Sequence, residues 1–329
     1  MQSFVVIPST PMLDIVTVTM NPALDVSATT AQVRPTSKLR CQHVQRHPGG
    51  GGINVARVLH RLGAKCRALY PLGGSTGQLL SQLLDEEGVD SVQVPVAGHI
   101  RESFTVRDEA SQQEYRFVLP GPDLSAREWQ ACLDRVAPLQ AAPGLVVGSG
   151  SLPPGVPDDF YARLAQQIAP TGARLIVDTS GAALAAALKQ GVFMVKPSLR
   201  EMRDLAQAPL HTMSEACQVA RHWVAEGRAQ VVVVSMGEQG ALLVSADDAL
   251  YAPPLSVSVV SAVGAGDSFV AGMTWSLAQG QALAQAFAYG VASGSASLMS
   301  TGTGLCAPAD VHRLVGQVQL VREFPAHTV

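Results

Sequence analysis

Charge is scarce in this chain, and its two signs nearly cancel. Of 329 residues only 15% are charged, 23 basic against 26 acidic, for a net charge of −3. That balance lacks the basic footprint that nucleic-acid binding requires. Cysteine is also sparse. Cys41, Cys66, Cys132, Cys217 and Cys306 are scattered, odd in number and never spaced as C-x-x-C. This argues against a zinc site or a disulfide framework and for a reducing cytoplasm. Residues 1–12 hold an apolar patch, but no basic region precedes it, and Pro8, Pro11 and Asp14 interrupt it. Neither a signal peptide nor a membrane span is expected, and residues 1–12 read as an extension ahead of the first strand. No internal repeat and no low-complexity tract stands out.

Apolar residues are plentiful, 47% of the total, with Ala, Gly, Val and Leu dominant. This suits a large core around a buried parallel sheet. Residues 13–20 and 66–71 read as strands, and 76–87 as a helix closed by Gly88. From Ser125 onward strands and helices alternate. The strands are expected at 145–147, 175–177, 193–195 and 231–235, the helices at 158–168, 182–189, 214–226 and 267–279. A closely packed small-residue helix follows at 282–300. Such alternation predicts parallel strands with helices on both faces, and the run Val231-Val232-Val233-Val234 predicts a central parallel strand. Segments 26–46 and 99–118 are half polar and β-like, the second turning at Ser111-Gln112-Gln113. They are expected to pair as a small sheet projecting from the main domain.

Two glycine clusters carry the chemistry. In Val263-Gly264-Ala265-Gly266-Asp267, two glycines and a carboxylate stand where an irregular segment becomes an apolar helix. N–H groups at a helix start have no intrahelical partners and carry partial positive charge. Glycine lets an anion approach them. Asp267 is then placed to take a proton from a hydroxyl while the anion hole holds a transferring phosphate. The same residues also suit a plain N-cap. Upstream, Pro48-Gly49-Gly50-Gly51-Gly52-Ile53-Asn54 leads into a helical stripe of Ile53, Ala56, Leu59 and Leu62 that Gly63 ends. A linker would not lead into a capped helix. The four glycines therefore mark a close approach of backbone to a ligand or to another backbone. Asn54 offers a donor and an acceptor to sugar hydroxyls, and Asp25, at a strand end, suits either two sugar hydroxyls or a turn.

Together these motifs resemble the two signatures of the ribokinase-like (PfkB) family of sugar kinases. The resemblance runs from about Leu13 to Cys306. It is carried also by the segment from Thr17 to Asp25, by Lys38-Leu39-Arg40-Cys41, by Glu114-Tyr115-Arg116-Phe117-Val118-Leu119-Pro120-Gly121, by Gly148-Ser149-Gly150-Ser151-Leu152-Pro153-Pro154-Gly155 and by Lys196-Pro197. It implies a three-layer αβα fold with a mainly parallel central sheet and a small β-sheet lid, one kinase domain over residues 13–329. It implies ATP and Mg²⁺, and phosphorylation of fructose 6-phosphate at the C1 hydroxyl to give fructose 1,6-bisphosphate and ADP. A 1-phosphofructokinase, a tagatose-6-phosphate kinase and a non-catalytic sugar-phosphate sensor are the alternatives. A homodimer through the lid is implied as well. Val44, Phe104, Tyr115 and Phe117 would supply its packing face, or would pack within one sheet.

The resemblance also assigns roles. Asp267 is the base, and the N–H groups of Gly264, Ala265 and Gly266 form the anion hole. Asp25, Gly50, Gly51 and Asn54 hold the sugar, and Ser149 lines its cleft. Lys38 and Arg101 clamp the phosphate the sugar already carries. Lys196, Ser235, Gly237 and Gly240 lie on the nucleotide side, the last two also suiting a hairpin. Glu201 organises Mg²⁺ through water. The chain departs from the family pattern at Ser198, where an Asn is usual, and at Ala262, where a Thr is usual. Arg34 and Arg200 replace residues linked to ATP inhibition in relatives, so that inhibition is not carried over.

Overall fold

Strand β1 (Ile15–Val18) is β-branched throughout and apolar but for Thr17, and it is buried on both faces, the environment such a run fits. In this computed structural model, which describes residues 13–139, 144–301 and 304–322, β1 lies parallel between β4 (Cys66–Leu72) and β8 (Leu145–Ser149). The extension expected at 1–12 is outside the described residues. Beyond β4 the sheet ends with β5 (Asp90–Pro95). Beyond β8 it continues through parallel β9 (Arg174–Asp178), β10 (Val192–Val195) and β11 (Ala229–Ser235). Antiparallel β12 (Ala241–Ser245) and β13 (Ala249–Ala252) close that side. The order is β13-β12-β11-β10-β9-β8-β1-β4-β5. Growth reverses at β1, the kind of switch point where open α/β sheets bind ligands at strand carboxyl ends.

Side chains on successive strand residues point to opposite faces, so each strand feeds two cores. Ile15, Val147, Ile176, Met194, Val231 and Val233 pack toward α1 (Gly51–Arg61), α8 (Ala265–Ala278), α9 (Leu283–Leu298) and α10 (Pro308–Val315). Val16, Val146, Val177, Val195, Val232 and Val234 pack toward α3 (Ala126–Leu139), α4 (Phe160–Ile168), α5 (Gly181–Gln190), α6 (Leu199–Ala206) and α7 (Met213–Ala225). Helix α2 (Gly74–Glu86) joins α1 over Ala68 and Tyr70. This is the three-layer arrangement the alternation predicts. The valine run corrects one expectation. β11 stands third from the sheet edge, parallel to β10 but antiparallel to β12. Burial under helices on both faces, not a central all-parallel position, explains its composition.

A second sheet stands apart, in the order β3 (Gln42–Gly49), β2 (Ala23–Thr30), β6 (Arg101–Asp108), β7 (Glu114–Val118). β2 and β6 run parallel, and the outer pairs are antiparallel. It leaves Val44, Phe117, Val118 and Leu119 exposed, with Leu39 in the loop after β2; Phe104 and Tyr115 are half-buried. No helix among the described residues is long and apolar enough to cross a membrane.

Helices α8 and α9 approach closely because small residues face one another. A Cβ at Gly272 would overlap the Tyr289 carbonyl oxygen and lie 2.9 Å from Ser293 Cβ. Gly272→Ala therefore sets two effects against each other. Helix propensity favours Ala by about 1 kcal/mol, and forced overpacking costs roughly 1–3 kcal/mol. A net loss on the order of 1 kcal/mol is expected in urea unfolding. A variant more stable than the parent would contradict this packing.

Candidate active site

The two glycine clusters meet at the carboxyl ends of β1 and β8. Gly264 takes a left-handed φ of 76° as the N-cap of α8, a conformation that favours glycine. The first turn of α8 then leaves the N–H groups of Gly266 and Asp267 without intrahelical carbonyls. The Ala265 N–H donates a long 3.4 Å bond to Ala262 O, so of the three expected anion-hole donors it is the one already engaged. Gly50 is the N-cap of α1, with φ 109°. The glycine run threads between two polar side chains: a Cβ at Gly49 would overlap the Asp25 carboxylate, and one at Gly51 would overlap Ser149 Oγ and lie 2.7 Å from Gly150 N. Gly49, expected only as part of the glycine run, thus backs directly on the Asp25 carboxylate.

Asp267 projects from α8 into a cavity of about 200 Å³ lined also by Ser149, Gly150, Ser151, Asp178, Thr179, Ser180 and Glu201. Its Oδ2 accepts from Asn54 Nδ2 at 2.9 Å. Loss of hydration, with the nearby Asp178 charge, pushes its carboxyl up to about 7, against the Asn54 hydrogen bond and Lys196. Lys196 Nζ lies 3.1 Å from Asp178 Oδ1, with only 6% of its side chain exposed. Burial pulls Lys196 down, but the charge and hydrogen bond of Asp178 outweigh that and hold it above the usual lysine range. Its ammonium also stands 3.5 Å from where a Gly266 Cβ would be. Lys196 is therefore at the anion hole itself. Asp178, the last residue of β9, was not among the residues singled out in the sequence.

Asp25 lies on β2. Burial pushes its carboxyl up to about 6, opposed by Arg101, Arg116 and Arg57. Arg101 opens β6, where the register sets it beside Ala23, two residues from Asp25. Its Nη1 and Nη2 donate to Leu119 O and Asn21 O, both at 3.2 Å. Its Nε, like Ser149 Oγ, is buried with no hydrogen-bond partner among the described residues, and buried polar atoms normally have one.

Lys38 is elsewhere. It lies in the loop after β2, with Thr29, Thr30, Arg34, Glu109 and Ala110 around it, at the opposite end of the small sheet from Arg101. Seven strand steps of about 3.3 Å put the two roughly 20 Å apart. The expected clamp of one phosphate by both cations does not form within one chain. Two further placements concern the nucleotide side. Ser235 N donates to Pro197 O at 3.1 Å, which keeps Ser235 next to the Lys196 segment. Gly237 and Gly240 flank the turn between β11 and β12, and a Cβ at Gly240 would overlap Ala252 O, so Gly240 has a hairpin role in full.

Glu201 shares the cavity with Asp178 and Asp267. With Ser198 it forms a capping box at the start of α6, its Oε2 accepting from Ser198 N at 2.7 Å. Among the described residues no group of three or more metal-binding side chains is assembled. One or two carboxylates on a polar cavity fit a magnesium ion, which keeps most of its waters.

The likenesses to known proteins agree with this geometry. Residues 13–310 match the pfkB family of carbohydrate kinases. The chain is 46% identical to the ATP-dependent 6-phosphofructokinase isozyme 2 of Mycobacterium tuberculosis, over 91% of this chain and 88% of the relative. It is 37% identical to the 1-phosphofructokinase of Xanthomonas campestris, over 80% of this chain and 84% of the relative. The phosphofructokinase-2 of Escherichia coli, solved in complex with fructose-6-phosphate, is 39% identical and superimposes with a TM-score of 0.88 over 93% of this chain and 99% of that one. The same enzyme is also known in a tetrameric inhibited form. With its switch-point cleft, its two glycine-built helix starts and a match over nearly its whole length, the chain belongs to the pfkB family of carbohydrate kinases.

Proposed function

We propose that this kinase is an ATP-dependent 6-phosphofructokinase, transferring the γ-phosphoryl group of ATP to the C1 hydroxyl of fructose 6-phosphate. The observation that carries the reading is one cleft with two carboxylate and cation sets. Asp267 with Lys196 stands at the start of α8, and Asp25 with Arg101 stands at the head of the small sheet. The first set suits phosphoryl transfer and the second a sugar that already carries phosphate, since a free sugar needs no guanidinium clamp.

In this reading Asp267 accepts the C1 hydroxyl proton and the hydroxyl oxygen attacks the γ-phosphorus in line. The N–H groups of Gly266 and Gly264, with Lys196, stabilise charge on the transferring phosphoryl as ADP departs. Asp25, Gly50, Gly51 and Asn54 orient the fructose ring, and Arg101 holds the C6 phosphate. Glu201 and Asp178 would hold Mg²⁺ through water, and the ion when bound neutralises phosphate charge. Ser235 and Gly237 border the nucleotide.

The protein acts as a cytoplasmic homodimer, with the small sheet as lid. The exposed apolar residues Leu39, Val44, Phe117, Val118 and Leu119 support that interface. Lys38 then meets a sugar phosphate only from a second copy, because within one chain it lies at the far end of the sheet. A 1-phosphofructokinase is the second reading, favoured by the relative of that activity. ADP release measured across fructose 6-phosphate, fructose 1-phosphate, tagatose 6-phosphate, ribose and adenosine separates the readings; turnover highest with fructose 1-phosphate overturns the first.

Asp267→Asn is expected to lower kcat by roughly 10²–10⁴-fold while fructose 6-phosphate still binds. Near-normal turnover removes Asp267 as base. The sign of the pH dependence follows from the raised carboxyl. Below about 7 Asp267 is protonated and cannot accept a proton, so kcat/KM falls about tenfold per pH unit there. In stability the effect reverses. The folded protein binds this proton more tightly than the unfolded chain, so stability declines as pH rises from about 4 through about 7. Asp267→Asn should therefore raise stability above pH 7 by roughly 1–3 kcal/mol, a figure reduced for partial exposure, and not at pH 4.

Arg101→Ala is expected to raise KM for fructose 6-phosphate by about one to two decades, equal to roughly 1.5–3 kcal/mol, with ATP scarcely affected. Lys38→Ala does the same only if a second copy supplies it. Light scattering tests that arrangement: a fully active monomer excludes it.

A further inference from the structure

Helix α1 carries a second polar system, outside the cavity, that no step of the proposed reaction uses. Arg57 is 1% exposed. Its Nε donates to both Glu87 carboxylate oxygens, at 3.0 and 2.9 Å, and its Nη2 donates to Glu87 Oε1 at 2.6 Å. Glu87 caps the carboxyl end of α2. The remaining Arg57 donor, Nη1, reaches the other way, to Pro48 O at 2.9 Å and Asn54 Oδ1 at 3.4 Å. One guanidinium thus ties the start of the glycine run to the amide that touches Asp267.

The chemistry of the donors makes this contact directional. A guanidinium has only N–H donors, so the Asn54 atom facing it must be the carbonyl oxygen. The Asn54 NH₂ is then turned toward Asp267, where it donates to Oδ2 at 2.9 Å. Without Arg57 only the carboxylate itself would select the amide's orientation, and whenever the carbonyl oxygen turned toward it two acceptors would meet without a proton between them.

We propose that Arg57, held by Glu87, is a positioning residue for the base: it fixes the Asn54 amide so that a donor always faces Asp267 Oδ2, leaving Oδ1 to the substrate hydroxyl. The proposal rests on Asp267 being the base. The donor favours the ionised carboxylate. The other charged groups around Asp267 are Asp178 at the end of β9, Lys196 after β10 and Asp25 on β2; Arg57 also holds Asp25 down, so the variant that keeps the charge, Arg57→Lys, separates positioning from charge. Around Glu87 stand Arg61, whose Nη2 is 3.6 Å away, and His47. Burial pushes Glu87 up, but Arg57, Arg61 and His47 outweigh it and keep the pair ionic.

Two variants test this in the full-length protein. Arg57→Lys keeps the charge but cannot span Glu87, Pro48 and Asn54 together, because it lacks the planar fork. Arg57→Met combined with Glu87→Gln removes both partners, which spares the fold an unpaired buried charge. In both, kcat is expected to fall by about 3- to 30-fold, and the acidic limb of kcat/KM to move up by about 0.5–1 pH unit, the weakening rather than the full loss of one charge-assisted hydrogen bond to Asp267. A merely structural role would lower the melting temperature without moving the limb. A variant that melts like the parent with its limb in the parental place overturns the proposal. A parent protein with no acidic limb, or with no turnover of any acceptor, overturns the assignment of Asp267 instead.

Discussion

The hydrogen bond from Asn54 to Asp267 spans 213 residues of sequence, and the cleft depends on it. It joins the first turns of α1 and α8, one from each end of the chain, over the carboxyl ends of β1 and β8. Two helix starts converge this closely only because both are built on glycine. Gly50 and Gly264 take left-handed backbone that a side chain would strain, and Gly51 leaves room for Ser149. Gly150 turns away at the end of β8 with φ 105°, its carbonyl held by the Thr179 hydroxyl at 2.9 Å and the Tyr161 hydroxyl at 3.0 Å. Sugar and phosphate chemistry are thus framed by backbone, and the side chains are few.

Those few are arranged against their own electrostatics. Asp25, Asp178 and Asp267 gather in one region; lost hydration raises Asp25 and Asp267 well above ordinary carboxylates, and repulsion from Asp178 and Asp25 adds to the shift of Asp267. Lys196 and Arg101 offset only part of that cost. Such a site holds protons near neutral pH and is poised to exchange them, at the expense of stability.

Much of this was legible in the residues. Strand and helix alternation, the two glycine clusters and the half-polar β segments each follow from local periodicity or backbone freedom, which a sequence displays directly. The edge strand β5 was less visible, since Asp90, Gln93 and Pro95 dilute its apolar pattern. What stayed hidden depends on contacts between distant segments. Arg57 sits on an apolar helical stretch and Glu87 in an acidic run, and nothing local says that they pair. Lys38 and Arg101 looked like partners because the family resemblance assigns both to one phosphate. Only the parallel register of β2 and β6 reveals that the sheet's length separates them. The Ser198 substitution reads as a lost amide, yet in three dimensions it completes a capping box with Glu201.

The glycine run has a further consequence, for the tolerance of this protein to genetic change. A Cβ at Gly49 would overlap Asp25, one at Gly51 would overlap Ser149, and one at Gly52 would stand 2.5 Å from Thr19 Oγ1. Every amino acid other than glycine adds at least that atom. Each missense change at these three codons therefore collides with a neighbour that is itself buried or part of the cleft, and no second substitution nearby relieves all three. The segment is closed to gradual exploration. Variation in this architecture is left to the small sheet and its loops, while the backbone cradle stays as it is.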